Sequence, residues 1–548
     1  MKFRQKVEDL VSGHENKIQD IDRSNLIKHV VDKRFALVSE SGALAAWTPP
    51  ESTGRSPADT YIVQNPKTEE KIDWSSPNNK PMDPNTFTML VEDAIETLDK
   101  KTDLYVTNRV VGADTKYALP VQTITDNPLT VLFTDNMFRP TPSNLGESVF
   151  AETPFTLLAA PHDKLDSKKY EGRLRNLDSG EASNMAVAMD FDNMVGVVYG
   201  SAYMGSCKKL IFTVMNYILP DAGVLPLHCA ANEGGEGDVA VFLGLSGTGK
   251  TSFSSDPHRA MLGDDEHGWS ENGVANFEYG CYAKMINVTH EKEPEIYDAV
   301  MTKKTFEEHG AIVENAMIYP DGRFDFHDKR FTENSRASYP ISSLKNIKPS
   351  AVGAHPKTII FLTADANGVI PPISRLNKQQ AMLWFLLGYT SKLAGTETGI
   401  KDPVSTFSRF FGQPFMPRQP QVYADMLGEK LDEYDSNVFL VNSGWVSGPY
   451  GVGHRIDIKL NWNMIHAALD GGLDDVEYEQ DDLFHVSVPR TCPGLEDPKW
   501  LDARRLWSNP QEYDVRAKKL AKEFSDYFDE AYADKKIDSE IVRQCPGK

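Results

Sequence analysis

Between Val239 and Trp269 an apolar run, VAVFLG, passes into GLSGTGKT and shortly afterwards into MLGDDEHGW. In Gly244, Leu245, Ser246, Gly247, Thr248, Gly249, Lys250 and Thr251 the glycines allow the backbone to turn its N–H groups toward an anion. A helix opening at the end of the loop would add its positive N-terminal end. Such a loop suits a polyphosphate, with Lys250 on the β- and γ-phosphates and the Thr251 hydroxyl on the accompanying Mg²⁺. The full GxxxxGK[ST] pattern directly after β-branched residues sets it apart from a chance glycine-rich turn. Asp264 and Asp265 close a second apolar approach, Ala260 to Gly263. Paired carboxylates at the end of a buried strand offer the oxygen ligands that hard cations prefer, whereas a lone acidic pair elsewhere reads as an exposed turn.

Both features depend on strands that deliver them, and other reactive residues stand at similar junctions. Lys208 and Lys209 open an apolar segment, Leu210 to Leu219, that Pro220 stops and that reads as a buried helix. Cations at that end oppose the macrodipole. A bound anion or loss of a proton would compensate them, and two solvated lysines snorkelling away from the helix would do so as well. His228, in GVLPLHCAAN, is either a metal ligand through one nitrogen or a satisfied core histidine. Arg55, in TGRSP, and Arg336, in TENSRASYP, are forks that fit a carboxylate, though either alone would suit a solvated surface.

Length, charge and cysteine usage narrow the classes. A chain of 548 residues with 40% hydrophobic content can fill two or three cores. Its formal charge of −21 speaks against a nucleic-acid surface, so an anionic substrate needs a local basic pocket. The five cysteines show no CxxC spacing and an odd count, which favours a reducing, cytoplasmic setting. The N-terminus lacks the apolar stretch of a signal peptide, and no segment approaches the length of a membrane span. Residues 1 to about 45 read as helical and polar, and Pro49 to Pro84 as loops. From Leu104 onward LYVTNRVVG, LTVLFT, FTLLAA, VAMDF and VGVVYG suggest a mixed sheet. Beyond Pro220 the loop unit is followed by a strand at Thr358 to Leu362, a helix at Gln379 to Leu393, and a packing helix at about Asp514 to Ala533.

Taken together, TGRSP, Tyr203 to Lys209, LPLHCAAN, GLSGTGKT, MLGDDEHGW, NFEYGCYAK, EPEIY, TENSRASYP, FLTADANGVIPP and LAGTETGI closely resemble the ATP-dependent phosphoenolpyruvate carboxykinases. The match runs from about Thr53 to Lys459 in a specific order and spacing, and the GTP-dependent class has a different phosphate loop. The resemblance implies an α/β fold of two domains: a substrate-binding domain at 1–222, and a mononucleotide-binding domain with the P-loop at 223–548. It also implies an active site in the cleft between them and a mobile lid at about 394–408. The implied activity is the decarboxylation and phosphorylation of oxaloacetate to phosphoenolpyruvate, with ATP, Mn²⁺ and Mg²⁺ as cofactors. The implied partners are small molecules only, and the implied state is a monomer or a small homo-oligomer.

By the family pattern Lys209, His228 and Asp265 bind Mn²⁺, Lys209 as the neutral amine, and Thr251 holds the Mg²⁺ of Mg-ATP. Arg55, Tyr203, Lys209, Ser246 and Arg336 surround the substrate. Lys208, Lys209, Lys250, Asp264, Asp265 and Arg336 are implied to be catalytic. The nucleotide falls to Gly244 through Ser252 and to His228, Glu293, Arg336, Arg455, Ile456 and Asn461. Two departures stand out. Ser252 replaces the second threonine of the usual TGKTT and keeps a hydroxyl. Asp457, Leu460 and Asn461 differ from the familiar RISIKDT, and this segment bears on base preference and affinity. The other readings of the same motifs are a P-loop phosphotransferase acting on a hydroxyl or carboxylate acceptor, and a nucleotide-binding regulator without turnover.

Overall fold

A computed structural model describes residues 3–392 and 403–548. The chain divides into two compact units, one of residues 1–222, 276–349 and 414–418, the other of 223–275, 350–413 and 419–548. The sequence-based division put all of 223–548 in one domain. Residues 276–349 fold instead with the first unit, because the strand Ile312–Glu314 pairs in parallel with Leu44–Ala46. A pairing between residues so distant along the chain leaves no local composition signal.

The first unit holds an eight-stranded mixed sheet that includes Leu104–Val111, Leu119–Thr125, Phe155–Ala160, Val195–Tyr199, Ala186–Asp190 and Thr60–Val63. A five-stranded sheet contains Gly280–Lys284, Arg336–Pro340, Ile312–Glu314 and Leu44–Ala46. The helix Pro128–Met137 packs on strands of both sheets and is buried on nearly every side. It contains LTVLFT, which strand propensity alone would extend. Asn127 caps it by accepting from the N–H groups of Leu129 and Thr130, and Pro128 occupies the first turn, so the start signals outweigh the β-branched content. Thr60–Val63 is likewise a buried strand inside the stretch read as loops. The apolar helix spans Gly205–Ile218, with Pro220 just beyond it.

In the second unit an eight-stranded sheet runs in the order Ala260–Gly263, Cys229–Glu233, Val239–Gly244, Pro356–Thr363, Asn437–Asn442, Ile373–Leu376, Ser487–Pro489, Tyr478–Gln480. Val239–Gly244, Pro356–Thr363 and Asn437–Asn442 are parallel neighbours. Their near-continuous apolar sequences suit a sheet covered on both faces. Phe242, Ile360, Phe439, Phe253, Met464 and Ile465 share one core. The helix expected over Gln379 to Leu393 is Lys378–Leu387. It ends because Gly388 turns left-handed (φ +55°), and the chain returns as the strand Tyr389–Lys392, paired with Val404–Phe407. Residues 394–402 of the expected lid lie outside the described residues. Among the described residues no helix is long and apolar enough to cross a membrane.

Candidate active site

The glycine-rich loop leaves the carboxyl end of a central strand, where open parallel sheets offer their crevices. Gly247 and Gly249 have φ of +87° and +95°, values a side chain would strain. A Cβ on Gly244 would lie 2.5 Å from Thr248 Oγ1. Thr248 is buried, donates to the Leu245 carbonyl at 2.8 Å, and accepts at its own carbonyl from Ser443 Oγ, also at 2.8 Å. Ser246 and Gly247 are exposed at the tip. The helix that follows is only Lys250–Ser254. Its dipole is correspondingly slight, so the loop N–H groups would contribute most to holding an anion here.

Lys250 Nζ lies 2.9 Å from Asp265 Oδ1 and 3.4 Å from His228 Nε2, and these last two atoms are 3.0 Å apart. His228 Nδ1 donates to the Phe411 carbonyl at 2.5 Å, which turns Nε2 toward the carboxylate. Two ligand atoms thus face one cationic group, and the Lys250 ammonium stands where both can reach a positive charge. That donor set, one imidazole nitrogen and one carboxylate oxygen with the tautomer fixed from behind, fits a divalent transition metal. Asp264 is half-buried beside Asp265.

Arg455 holds the loop from its carbonyl side, donating to Gly247 O and Ser443 O, each at 2.9 Å. Ile456 is buried and donates from its N–H to Gly444 O. Asn461, expected beside a nucleotide, is buried, with its amide given to the Asn442 carbonyl at 2.9 Å. That amide ties the helix Ile458–Leu469 to a core strand. Asp457 accepts from the Lys459 N–H as the helix N-cap.

The first unit gathers a different set. Arg55 stacks 4.4 Å above the Phe415 ring, and Lys209 Nζ lies 4.6 Å from the same ring and 5.0 Å from Phe212. Arg55, Ser56, Ser206, Lys209 and Phe415 line one recess. Burial, followed by the charge of Arg336, lowers the Arg55 pKa. Arg336 lies 5.9 Å from the Tyr282 ring, and Tyr203 packs on that ring with centroids 5.9 Å apart. Lys208 is 3% exposed and ion-paired with buried Glu278 at 2.8 Å, which rules out the solvated-lysine reading for it. Glu293 is the half-buried N-cap of the helix Pro294–Met301 in this same unit.

Several members escaped sequence reasoning. Asn334 accepts from Arg336 Nε at 3.0 Å and donates to Thr53 O at 3.1 Å, binding the arginine strand to the TGRSP turn. Lys284 pairs across the strand from Arg336, and burial together with that charge lowers its pKa. Tyr282 and Lys284 alternate along the strand Gly280–Lys284 of NFEYGCYAK, a period-2 signal available in the sequence, and Glu278 lies in the turn just before it. Phe415 carried no signal.

These features define a class: a mixed α/β protein with a polyphosphate-type loop, a His/Asp pair suited to a divalent metal, and a separate nest of cations suited to a small anion. The chain matches the family model for phosphoenolpyruvate carboxykinase over residues 15–498. It is 45% identical over 503 residues to the phosphoenolpyruvate carboxykinase (ATP) of Geobacillus kaustophilus, covering 91% of each chain. The enzymes of that name from Caldanaerobacter subterraneus subsp. tengcongensis and Staphylococcus aureus strain Newman are both 44% identical, over 534 and 511 residues. The alignment covers 97% of both chains for the former, and 93% of this chain and 92% of its relative for the latter. The chain belongs to the ATP-dependent phosphoenolpyruvate carboxykinase family.

Proposed function

We propose that the two residue sets divide the work of one reaction. The reaction is that of the family: oxaloacetate and ATP give phosphoenolpyruvate, CO₂ and ADP, with divalent metal cations as cofactors. The observation that best supports the division is Arg55, a half-buried guanidinium resting on Phe415 within the field of Arg336. Two guanidiniums held close at a cost in burial are stabilised by a dianion, and oxaloacetate is one.

In this reading Arg55, Arg336 and Tyr203 hold the carboxylates of oxaloacetate, while the loop Gly244–Thr251 takes the polyphosphate of ATP. Thr251 holds the Mg²⁺ that accompanies it, and Ser246 stands at the exposed loop tip near both substrates. Glu293, Arg455 and Ile456 complete the nucleotide contacts. His228, Asp265 and Lys209 would hold a second cation, Mn²⁺ by the family pattern. When bound, that cation supplies positive charge where the enolate oxygen develops as CO₂ departs. The oxygen then attacks the γ-phosphorus in line. Lys250, Lys208 and Arg336 spread the charge of the transferring phosphoryl group, and Asp264 and Asp265 fix the cationic side of the site. Keeping water away from the enolate prevents its protonation to pyruvate. In this reading the protein is a monomer or small homo-oligomer in a reducing, cytoplasmic setting.

The test follows phosphoenolpyruvate directly from oxaloacetate, Mg-ATP and Mn²⁺, with GTP replacing ATP in parallel. Product with ATP and little with GTP is expected. Product with neither nucleotide, in protein that binds ATP, would overturn the assignment in favour of a nucleotide-binding regulator.

A further inference from the structure

Glu314 ends the strand Ile312–Glu314 and is fully buried, with Arg336 as its neighbour on one side and Ala46 on the other. One carboxylate oxygen accepts from the Met204 N–H at 3.0 Å, just before the helix that carries Lys208 and Lys209. The other accepts from the Tyr282 hydroxyl, whose ring lies against the Tyr203 ring with centroids 5.9 Å apart, so that the two hydroxyls interact. Gly205 makes room for this arrangement: a Cβ there would lie 2.5 Å from the Tyr203 ring and 2.9 Å from the Tyr282 ring. Glu314, Tyr282 and Tyr203 therefore form one built chain from the core to the residue read above as a substrate contact.

A hydroxyl has a single proton, which gives the chain a direction. While Glu314 is a carboxylate, Tyr282 donates to it and accepts from Tyr203, whose proton is then committed inward. Once Glu314 is protonated it donates to Tyr282, Tyr282 donates to Tyr203, and the Tyr203 proton is released toward the substrate. We propose that Glu314 is a positioning residue whose protonation state sets whether the Tyr203 hydroxyl offers the substrate a proton or a lone pair. The proposal rests on the reading of Tyr203 as a substrate contact and deepens it.

The surroundings make both directions accessible. Burial raises the Glu314 pKa to about 7, against the opposing effects of the Tyr282 and Met204 hydrogen bonds and the Arg336 charge. Burial and the charge of Glu314 drive the Tyr282 hydroxyl well above its ordinary range, so it stays protonated and can only relay. The neighbouring strands contribute the cations Arg336 and Lys284, and Lys208 lies 6.0 Å from the Tyr282 ring. The helix Gly205–Ile218 also brings Cys207, which burial pushes up to about 12 and keeps neutral. The helix Pro128–Met137 brings Asp135, ion-paired with Arg23 and Arg109. Leu44–Ala46 brings no ionisable group.

The experiment measures phosphoenolpyruvate binding by calorimetry and kcat/KM for oxaloacetate from pH 5.5 to 8.5, in wild type, Glu314→Gln and Tyr282→Phe. The glutamine amide fixes the donating direction, and phenylalanine breaks the relay while leaving Glu314 in place. The ratio of each variant to wild type cancels ionisation of the ligand and of the other site groups. We expect both ratios to change about tenfold per pH unit on one side of pH 7 and to level off on the other. Ratios independent of pH, in variants with wild-type melting temperatures, overturn the proposal. Failure of wild type to bind phosphoenolpyruvate at any pH overturns the reading of the site instead. Should both variants lose the fold, Tyr203→Phe decides, because removing the terminal hydroxyl should leave binding without the transition near pH 7.

Discussion

Lys250 and Arg55 are both half-buried cations, and they are compensated in opposite ways. Lys250 lies 2.9 Å from the Asp265 carboxylate, whereas Arg55 lies over the Phe415 ring at 4.4 Å with a second guanidinium nearby. An aromatic face contributes about 0.5–2 kcal/mol to a cation, less than a desolvated carboxylate does. On the proposed reading, the first unit would keep charge in reserve for an anion that arrives from solution. On the same reading, Lys250 in the second unit would exchange Asp265 for phosphate, and Asp265 would become available to a metal as it did so. The contrast predicts that substrate affinity is preset in one unit, while in the other nucleotide and metal binding are linked.

The sharpest way to break that contrast is to remove the exchange. Lys250→Ala and Asp265→Asn should each lower kcat for phosphoenolpyruvate formation by about 10³-fold, the scale of losing a charge contact to a transferring phosphoryl group. Calorimetry should still find phosphoenolpyruvate bound by both variants with near wild-type affinity. Residual turnover within about tenfold of wild type would remove both residues from the chemistry. Arg55→Ala comes next, with kcat/KM for oxaloacetate down about 10²-fold and the Kd for Mg-ATP unchanged. Arg55→Lys should not restore it, because an ammonium reproduces neither the fork nor the flat stacking on Phe415. Equal losses toward both substrates would show that the two sets are not separable. Smaller again is Arg455→Ala. Releasing the Gly247 carbonyl should raise the KM for Mg-ATP about tenfold, roughly 1.4 kcal/mol, and leave the KM for oxaloacetate in place.

The same contrast decides what could be read from the sequence. The loop is eight contiguous residues whose glycines answer to backbone geometry, so its type and spacing are visible in one line of text. The Tyr282 and Lys284 pair was half legible, since period-2 spacing places both on one face of the strand Gly280–Lys284 without saying what that face meets. Phe415 and Asn334 were illegible. They act through neighbours brought by pairings such as Ile312–Glu314 with Leu44–Ala46, more than 250 residues apart along the chain. LTVLFT shows the other limit, where an Asn-Pro start overrode strand propensity. Lys208 shows a third: a pair of lysines reads as solvated until a buried glutamate appears opposite.

The departures at Asp457 and Asn461 give the smallest expected effect and the most direct check on that limit. Read as text, they touch the nucleotide. In three dimensions Asp457 accepts from the Lys459 N–H to cap a helix, and Asn461 binds a core carbonyl, so both act on the fold. A serine at 457 would cap equally well, since Ser and Asp rank together at that position. Asp457→Ser should therefore leave the melting temperature and the ratio of ATP to GTP turnover unchanged. Asp457→Ala should cost about 1 kcal/mol of stability, measured by denaturant unfolding, again with the nucleotide ratio unmoved. A shift in that ratio for either variant would return the segment to the nucleotide site and show that its helix positions the base after all.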